Sequence, residues 1–381
     1  MSTTASSQGL GRFLRSGQGW PYLLTPFILI AAVLEAAGAQ PAFVFFASAA
    51  GVIPTAALMG RATEELAERS GPGIGGLLNV TFGNAPELII ALFALGEGLH
   101  EVVKASLIGS ILGNTLLVLG ASMLVGGLKV NRSGRQKFNR TAASAQASML
   151  LLAVTAMVMP AIFVLIRGPG LPSPGSERTD YGATIEQLSV AVAIVLILSY
   201  VAGLIFSLRT HRDLFNPPRD ASEGSQPWSV RRSVAVLAFA GVLVGVMSEL
   251  LVGSISETAK DIGLSEFFIG AIVIAIVGNA AEHWVAVLVA AKDKMDLAVN
   301  IAIGSSAQIA LFVAPVLVLL SFVIGPNPMP LVFNGFELGA IVLAVIIANQ
   351  VTNEGESTWY EGLQLLAVYL VLALAFFFAT R

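Results

Sequence analysis

The chain has 381 residues, 55% of them hydrophobic and only 12% charged, with a mean hydropathy of +0.81. That composition excludes a water-soluble domain and points to a polytopic membrane protein lying in the lipid bilayer. A net charge of −3 offers no basic face to nucleic acid, and the absence of Cys excludes disulfides, thiolate metal sites and sulfur redox chemistry.

Residues 1–21 read as a polar, Gly/Ser-rich tail. Eleven apolar segments follow that are long enough, or nearly so, to span a membrane: 22–38, 42–66, 73–98, 102–127, 142–167, 182–208, 233–258, 265–291, 297–324, 330–350 and 359–379. The first carries a rival reading, because Ala37-Gly38-Ala39 resembles a signal-peptidase site; Glu35 and the segment's length favour a retained helix at 22–40. The link 209–232 is the longest basic, Pro-containing loop and divides the rest into 41–208 and 233–381. Only five of the 21 Lys and Arg residues fall on the side opposite the N-terminus (Lys104, Arg167, Arg178, Lys260, Arg381). The remaining 16 place the N-terminus and the 209–232 linker in the cytoplasm and the C-terminus outside. Short loops and a short tail point to a prokaryotic plasma membrane.

Two stretches inside apolar runs stand out. Gly83-Asn84-Ala85-Pro86-Glu87 lies in the third segment and Gly278-Asn279-Ala280-Ala281-Glu282 in the eighth, 195 positions later. A carboxylate at membrane depth costs about 3 kcal/mol even on the lenient insertion scale, so it normally faces a cavity or a partner on a transport path. Asn and Glu three apart share a helix face, so each motif presents an amide oxygen beside a carboxylate. Oxygen ligands with two negative charges suit a hard divalent cation such as calcium. Gly83, Pro86 and Gly278 are expected to interrupt the motif helices and free backbone carbonyls for the ion.

The same offset carries Gly109-Ser110 onto Gly304-Ser305, each Ser standing 23 residues after its Glu. The unit holds five spans. An odd number makes two consecutive copies face opposite ways, an inverted repeat of the kind many secondary transporters use. The expected fold is therefore an all-α polytopic membrane protein with 11 transmembrane helices, one extra N-terminal helix plus two inverted five-helix repeats.

With Thr63-Glu64-Glu65-Leu66-Ala67-Glu68-Arg69 and Gly75-Gly76-Leu77-Leu78-Asn79 added to the two motifs, the chain resembles the cation/proton exchanger family of the calcium:cation antiporter superfamily. Gly278-Asn279-Ala280-Ala281-Glu282-His283 is similar to that family's second signature. The resemblance implies that Glu87 and Glu282 bind Ca2+ and, alternately, H+, with support from Asn84, Asn279, Ser110, Ser305 and Gln308. It implies a transporter and not an enzyme, no cofactor beyond the transported ions, and it leaves a homo-oligomer open.

Two carboxylates in one cavity hold either one divalent cation or two protons, and that competition couples the two fluxes. The same-superfamily alternative, a sodium/calcium or other cation exchanger, needs further carboxylates in the motif helices. A channel usually reaches such symmetry through oligomers, and a membrane protease lacks its His-Glu-x-x-His or Ser/Lys signature here. Glu249, midway in the seventh span, reads as either a cavity-lining carboxylate or one buried by hydrogen bonds between helices. His283 reads as a packing or regulatory residue, since it faces away from Glu282. Glu64, Glu65 and Glu68 read as a solvated face or a cation-attracting vestibule, and Glu337 takes no assignment.

Overall fold

The computed structural model describes residues 19–130, 135–175, 180–210 and 228–380. Among these, nine helices are long and apolar enough to cross a membrane. Two shorter apolar helices, Trp20–Ala36 and Ala85–Gly96, fall on the first and third predicted segments. In the first half the helices are α1 (Pro26–Ala36), α2 (Pro41–Phe82), α3 (Ala85–Gly96), α4 (His100–Leu112), α5 (Leu119–Val130), α6 (Arg140–Met157), α7 (Met159–Arg167) and α8 (Ala183–Ile205). The second half holds α9 (Val230–Gly253), α10 (Ile255–Ile262), α11 (Glu266–Phe268), α12 (Ala275–Ala290), α13 (Met295–Gln308), α14 (Ala314–Leu320), α15 (Gly335–Thr352) and α16 (Trp359–Phe378). The expected tail at 1–18 and most of the expected linker, 211–227, lie outside the described residues.

Local sequence sets many of the helix starts. Pro26, Pro86, Pro160 and Pro315 stand in first turns, where a missing N–H costs nothing. Asn139 and Ser229 cap α6 and α9 by accepting from Ala142 N and Arg232 N. Asn334 with Glu337 and Thr358 with Glu361 form reciprocal capping boxes at α15 and α16. Glu337, unassigned from sequence, is thereby a buried structural carboxylate.

Two expectations are corrected. The second and third segments are joined in one helical run, Pro41–Phe82, but it is not straight. A Cβ on Gly75 would lie 2.2 Å from the Ala67 carbonyl oxygen, although eight residues of straight helix span about 12 Å. The chain therefore doubles back between Ala67 and Gly75, and the missing side chain of Gly75 permits the contact. The third segment is interrupted where Gly83 and Pro86 were expected to break it: α2 stops at Phe82 and α3 starts at Ala85. Finally, the protein is not purely helical. Arg135–Lys137 (β1) pairs antiparallel with Glu356–Thr358 (β2), with Gln136 opposite Ser357. Runs of three residues carry no legible strand period. The pairing sets Glu356 3.4 Å from Arg135.

Several spans contain π-helical turns, at Gly113–Val118, Ile269–Ile274 and Ile309–Val313. The offset of 195 carries 113–118 onto 308–313, so the sequence repeat recurs in the backbone. Backbones touch where glycine allows it: a Cβ on Gly109 would fall 1.9 Å from Ala271 O, and one on Gly270 2.9 Å from Val102 O. This crossing joins α4 to the turn ahead of α12. α2 makes its most extensive contact with α9. At one end of that pair Trp228 is held onto α2: its N–H donates to Glu65 Oε2 at 2.8 Å and its carbonyl accepts from Arg69 Nε at 3.1 Å. Its ring lies under the guanidinium groups of Arg61 and Arg232, 5.1 and 4.3 Å from the centroid.

Candidate cation-exchange site

α3 and α12 bring the two motifs face to face. A Cβ on Gly278 would stand 3.4 Å from Glu87 Cγ and 4.0 Å from its carboxyl carbon. The first carboxylate thus lies directly over the second motif's glycine, and Glu282 is within its electrostatic reach. Gly278 does not interrupt its helix: α12 runs through the whole second motif. Its role is to leave room for Glu87, which corrects the expectation that it frees a carbonyl. Gly83 does sit in a break, in the turn between α2 and α3.

The amides and hydroxyls are almost sealed from water, Asn279 at 1%, Asn84 at 3%, Ser110 at 4% and Ser305 at 8% exposure, so each polar atom needs a partner. Asn279 Nδ2 donates to Ser110 Oγ at 3.1 Å and to Ala275 O at 3.0 Å. Asn84 occupies the N-cap position of α3 without using its side chain as a cap. Its Nδ2 donates instead to Gln308 Oε1 at 2.8 Å. Ser305 Oγ donates to Glu282 Oε2 at 3.1 Å. Every sequence-nominated side chain therefore reaches the same region from α3, α4, α12 and α13.

Three acceptors there are buried without a hydrogen-bond donor: Asn84 Oδ1, Glu87 Oε2 and Asn279 Oδ1. In each Asn the N–H2 end is engaged by protein and the oxygen is left over. Unpartnered buried oxygens are costly. Three such oxygens from two motifs are of the hard type that a divalent cation accepts. Among the described residues no group of three His, Cys, Asp or Glu is close enough to hold a metal, so any cation here relies on amide and hydroxyl oxygens beside the two carboxylates.

The bonding is not mirror-symmetric. Repeat symmetry maps the Asn279–Ser110 bond onto Asn84–Ser305, yet Asn84 bonds Gln308 and Ser305 bonds Glu282. His283, as expected, turns away: its Nε2 is 3.1 Å from Asn114 Oδ1. Sequence reading left Asn114 without a role. It is fully buried in the Gly113–Val118 turn, and its signal was an amide at membrane depth next to the repeat mate of Gln308. Glu249 is exposed on α9, so burial by hydrogen bonds between helices does not hold for it. Glu64 is exposed on α2.

A pair of crossed, carboxylate-bearing motif helices in a helical membrane protein defines the class of membrane cation exchangers. The chain belongs to the sodium/calcium exchanger protein family, which matches residues 41–209 and 232–378. A Ca2+/H+ antiporter of Synechocystis sp. is 46% identical over 88% of this chain and 91% of its own length. The Ca2+/H+ antiporter ChaA of Bacillus subtilis is 46% identical over 92% of this chain and 98% of its own. The solved structure of native YfkE superposes with a TM-score of 0.78 at 41% identity, covering 94% of this chain and 99% of that one.

Proposed function

We propose that this protein is a secondary antiporter exchanging Ca2+ for H+, with ion and protons competing for Glu87 and Glu282. The observation that carries the reading is the convergence of Asn84 Oδ1, Glu87 Oε2 and Asn279 Oδ1, buried and unpartnered, on one carboxylate pair. A divalent cation supplies the charge these oxygens lack. Protons neutralise the carboxylates when it leaves, so no bare charge crosses the membrane. Lowering the pH on the loading side therefore weakens apparent Ca2+ affinity. The homology to proteins named Ca2+/H+ antiporters supports protons as the counter-ion. Among the described residues no cluster of three acids is grouped to hold a metal, and this speaks against further sodium sites.

In this reading the eleven spans form one helix plus two inverted repeats. The recurrence of the Gly113–Val118 π turn at Ile309–Val313 and the match of the family over both halves support it. Alternating access moves α2 and α9, which pack on each other and are clamped at Trp228, against the core of α4, α5, α12 and α13. The Lys and Arg distribution supports a cytoplasmic N-terminus. The test is calcium-45 uptake into everted membrane vesicles under an imposed proton gradient without sodium. Uptake is expected to collapse with a protonophore. Uptake that persists without the gradient, or that requires sodium, overturns the assignment.

A further inference from the structure

α13 has one open face. Ala298, Val299, Ala302, Ile303, Ser306 and Ala307 are buried against neighbouring helices, whereas Asn300 is exposed and Gly304 and Gln308 are half-buried. A spacing of four sets Asn300, Gly304 and Gln308 in one line along the helix. The line ends in the exchange site, where Gln308 holds Asn84 and Ser305, beside Gly304, holds Glu282. It starts about 18 Å away at Asp296, whose side chain accepts from the Asn139 backbone at the base of α6. Partway along, Gln146 of α6 donates its Nε2 to Asn300 Oδ1. Gly304 leaves the room for this amide pair: a Cβ there would stand 3.6 Å from both Asn300 Oδ1 and Gln146 Nε2.

The other half of the molecule gives the contrast. The offset of 195 maps Asn300 to Ala105, Gly304 to Gly109 and Gln146 to Ile341. Ala105 and Ile341 are both 0% exposed, and the space over Gly109 is filled by the Ala271 backbone. Beyond Glu101, the mate of Asp296, the equivalent line at the opposite end is thus apolar and closed. Amides facing hydrocarbon are disfavoured, which favours water over lipid along the Asn300–Gln308 line. Asn300 Oδ1 keeps a second lone pair beyond the one Gln146 uses.

We propose that Gln146 and Asn300 form a first oxygen site on the cytoplasmic approach, receiving a hydrated divalent cation before it reaches Glu87 and Glu282. This rests on the Ca2+/H+ exchange reading and orientation given above. Neutral amides bind weakly and release readily, so the site raises the rate of loading without trapping the ion.

The test is the initial rate of proton-driven calcium-45 uptake into everted vesicles over a range of Ca2+ concentrations, normalised to inserted protein. Asn300→Ala and Gln146→Leu are expected to raise KM for Ca2+ about fivefold, the factor that one lost oxygen contact represents, with the saturating rate retained. Asn300→Asp keeps the oxygen and the Gln146 bond and adds charge, so its KM falls to or below the wild-type value. A structural role would lower the saturating rate at unchanged KM and would make the Asp and Ala variants alike; either result overturns the approach site. Should the Ala variant fail to insert, Asn300→Asp decides alone, an increased KM being the overturning outcome. Wild-type vesicles without proton-driven uptake would remove the exchange reading, whereas wild-type uptake with unaltered KM in the variants removes only this inference.

Discussion

The stretches Gly83–Glu87 and Gly278–Glu282 differ at one residue in five, Pro86 against Ala281, yet the backbone treats them differently. A proline inside a helix has no N–H to donate, and its ring clashes with the carbonyl four residues earlier. For Pro86 that residue is Phe82, the last of α2, and a new helix begins at Ala85. Ala281 imposes no such break and α12 continues through its motif. In consequence Asn279 is steadied by its own helix, through Ala275 O, as well as by Ser110. Asn84 sits at a helix start and depends on Gln308, 224 residues away. Identical ligand chemistry is thus mounted on one stiff and one adjustable support. The adjustable one carries the carboxylate that lies over Gly278.

The largest effect tests what the halves share. Glu87→Gln and Glu282→Gln each remove a charged ligand from a buried set, and Ca2+ uptake is expected to fall by roughly a hundredfold or more. Full uptake in either variant would dissociate that motif from the ion. Pro86→Ala then erases the difference between the halves. Its melting temperature in detergent is expected to stay level or rise while uptake drops roughly tenfold, because a small misplacement of ligands is costly. Ala281→Pro should instead cost about 3 kcal/mol of stability by breaking α12. If Pro86→Ala transports normally, the break has no functional weight.

Smaller effects separate the two Asn supports. Gln308→Ala takes away the side-chain partner that Asn84 Nδ2 has among the described residues and is expected to raise KM for Ca2+ about five- to tenfold. Ser110→Ala leaves Asn279 its bond to Ala275 and should change KM by no more than about twofold. The reverse order would mean that the second motif is the adjustable one. The smallest effect concerns the joint between α2 and α9. Trp228→Ala loses the two guanidinium contacts, worth about 1 kcal/mol, and should lower Tm by roughly 2 °C with saturating uptake retained.

Much of the candidate site was legible because membrane depth makes every polar residue conspicuous. Asn84, Glu87, Asn279 and Glu282 stood out against apolar runs, and the 195 offset added Ser110 and Ser305. The break at Pro86 was legible from proline chemistry. Reading Gly278 the same way failed, since glycine permits a helix break without forcing one, and whether it does so depends on what lies opposite. Asn114, the β1–β2 pair and the Trp228 clamp were illegible for a related reason: each is defined by a partner more than 150 residues away.

The sequence by itself determined a helical membrane protein with two copies of one carboxylate motif, because hydrocarbon penalises unpaired backbone and lone charges wherever they fall in the chain. Tertiary structure alone decided which oxygens stay unpartnered. Asn84, Asn279 and Ser305 each had several donors and acceptors to choose among, and helix crossings at Gly109 and Gly278 fixed the choice. Hydrogen bonds at the site are selected by distances of a few tenths of an ångström across that packing, which no spacing along the chain encodes.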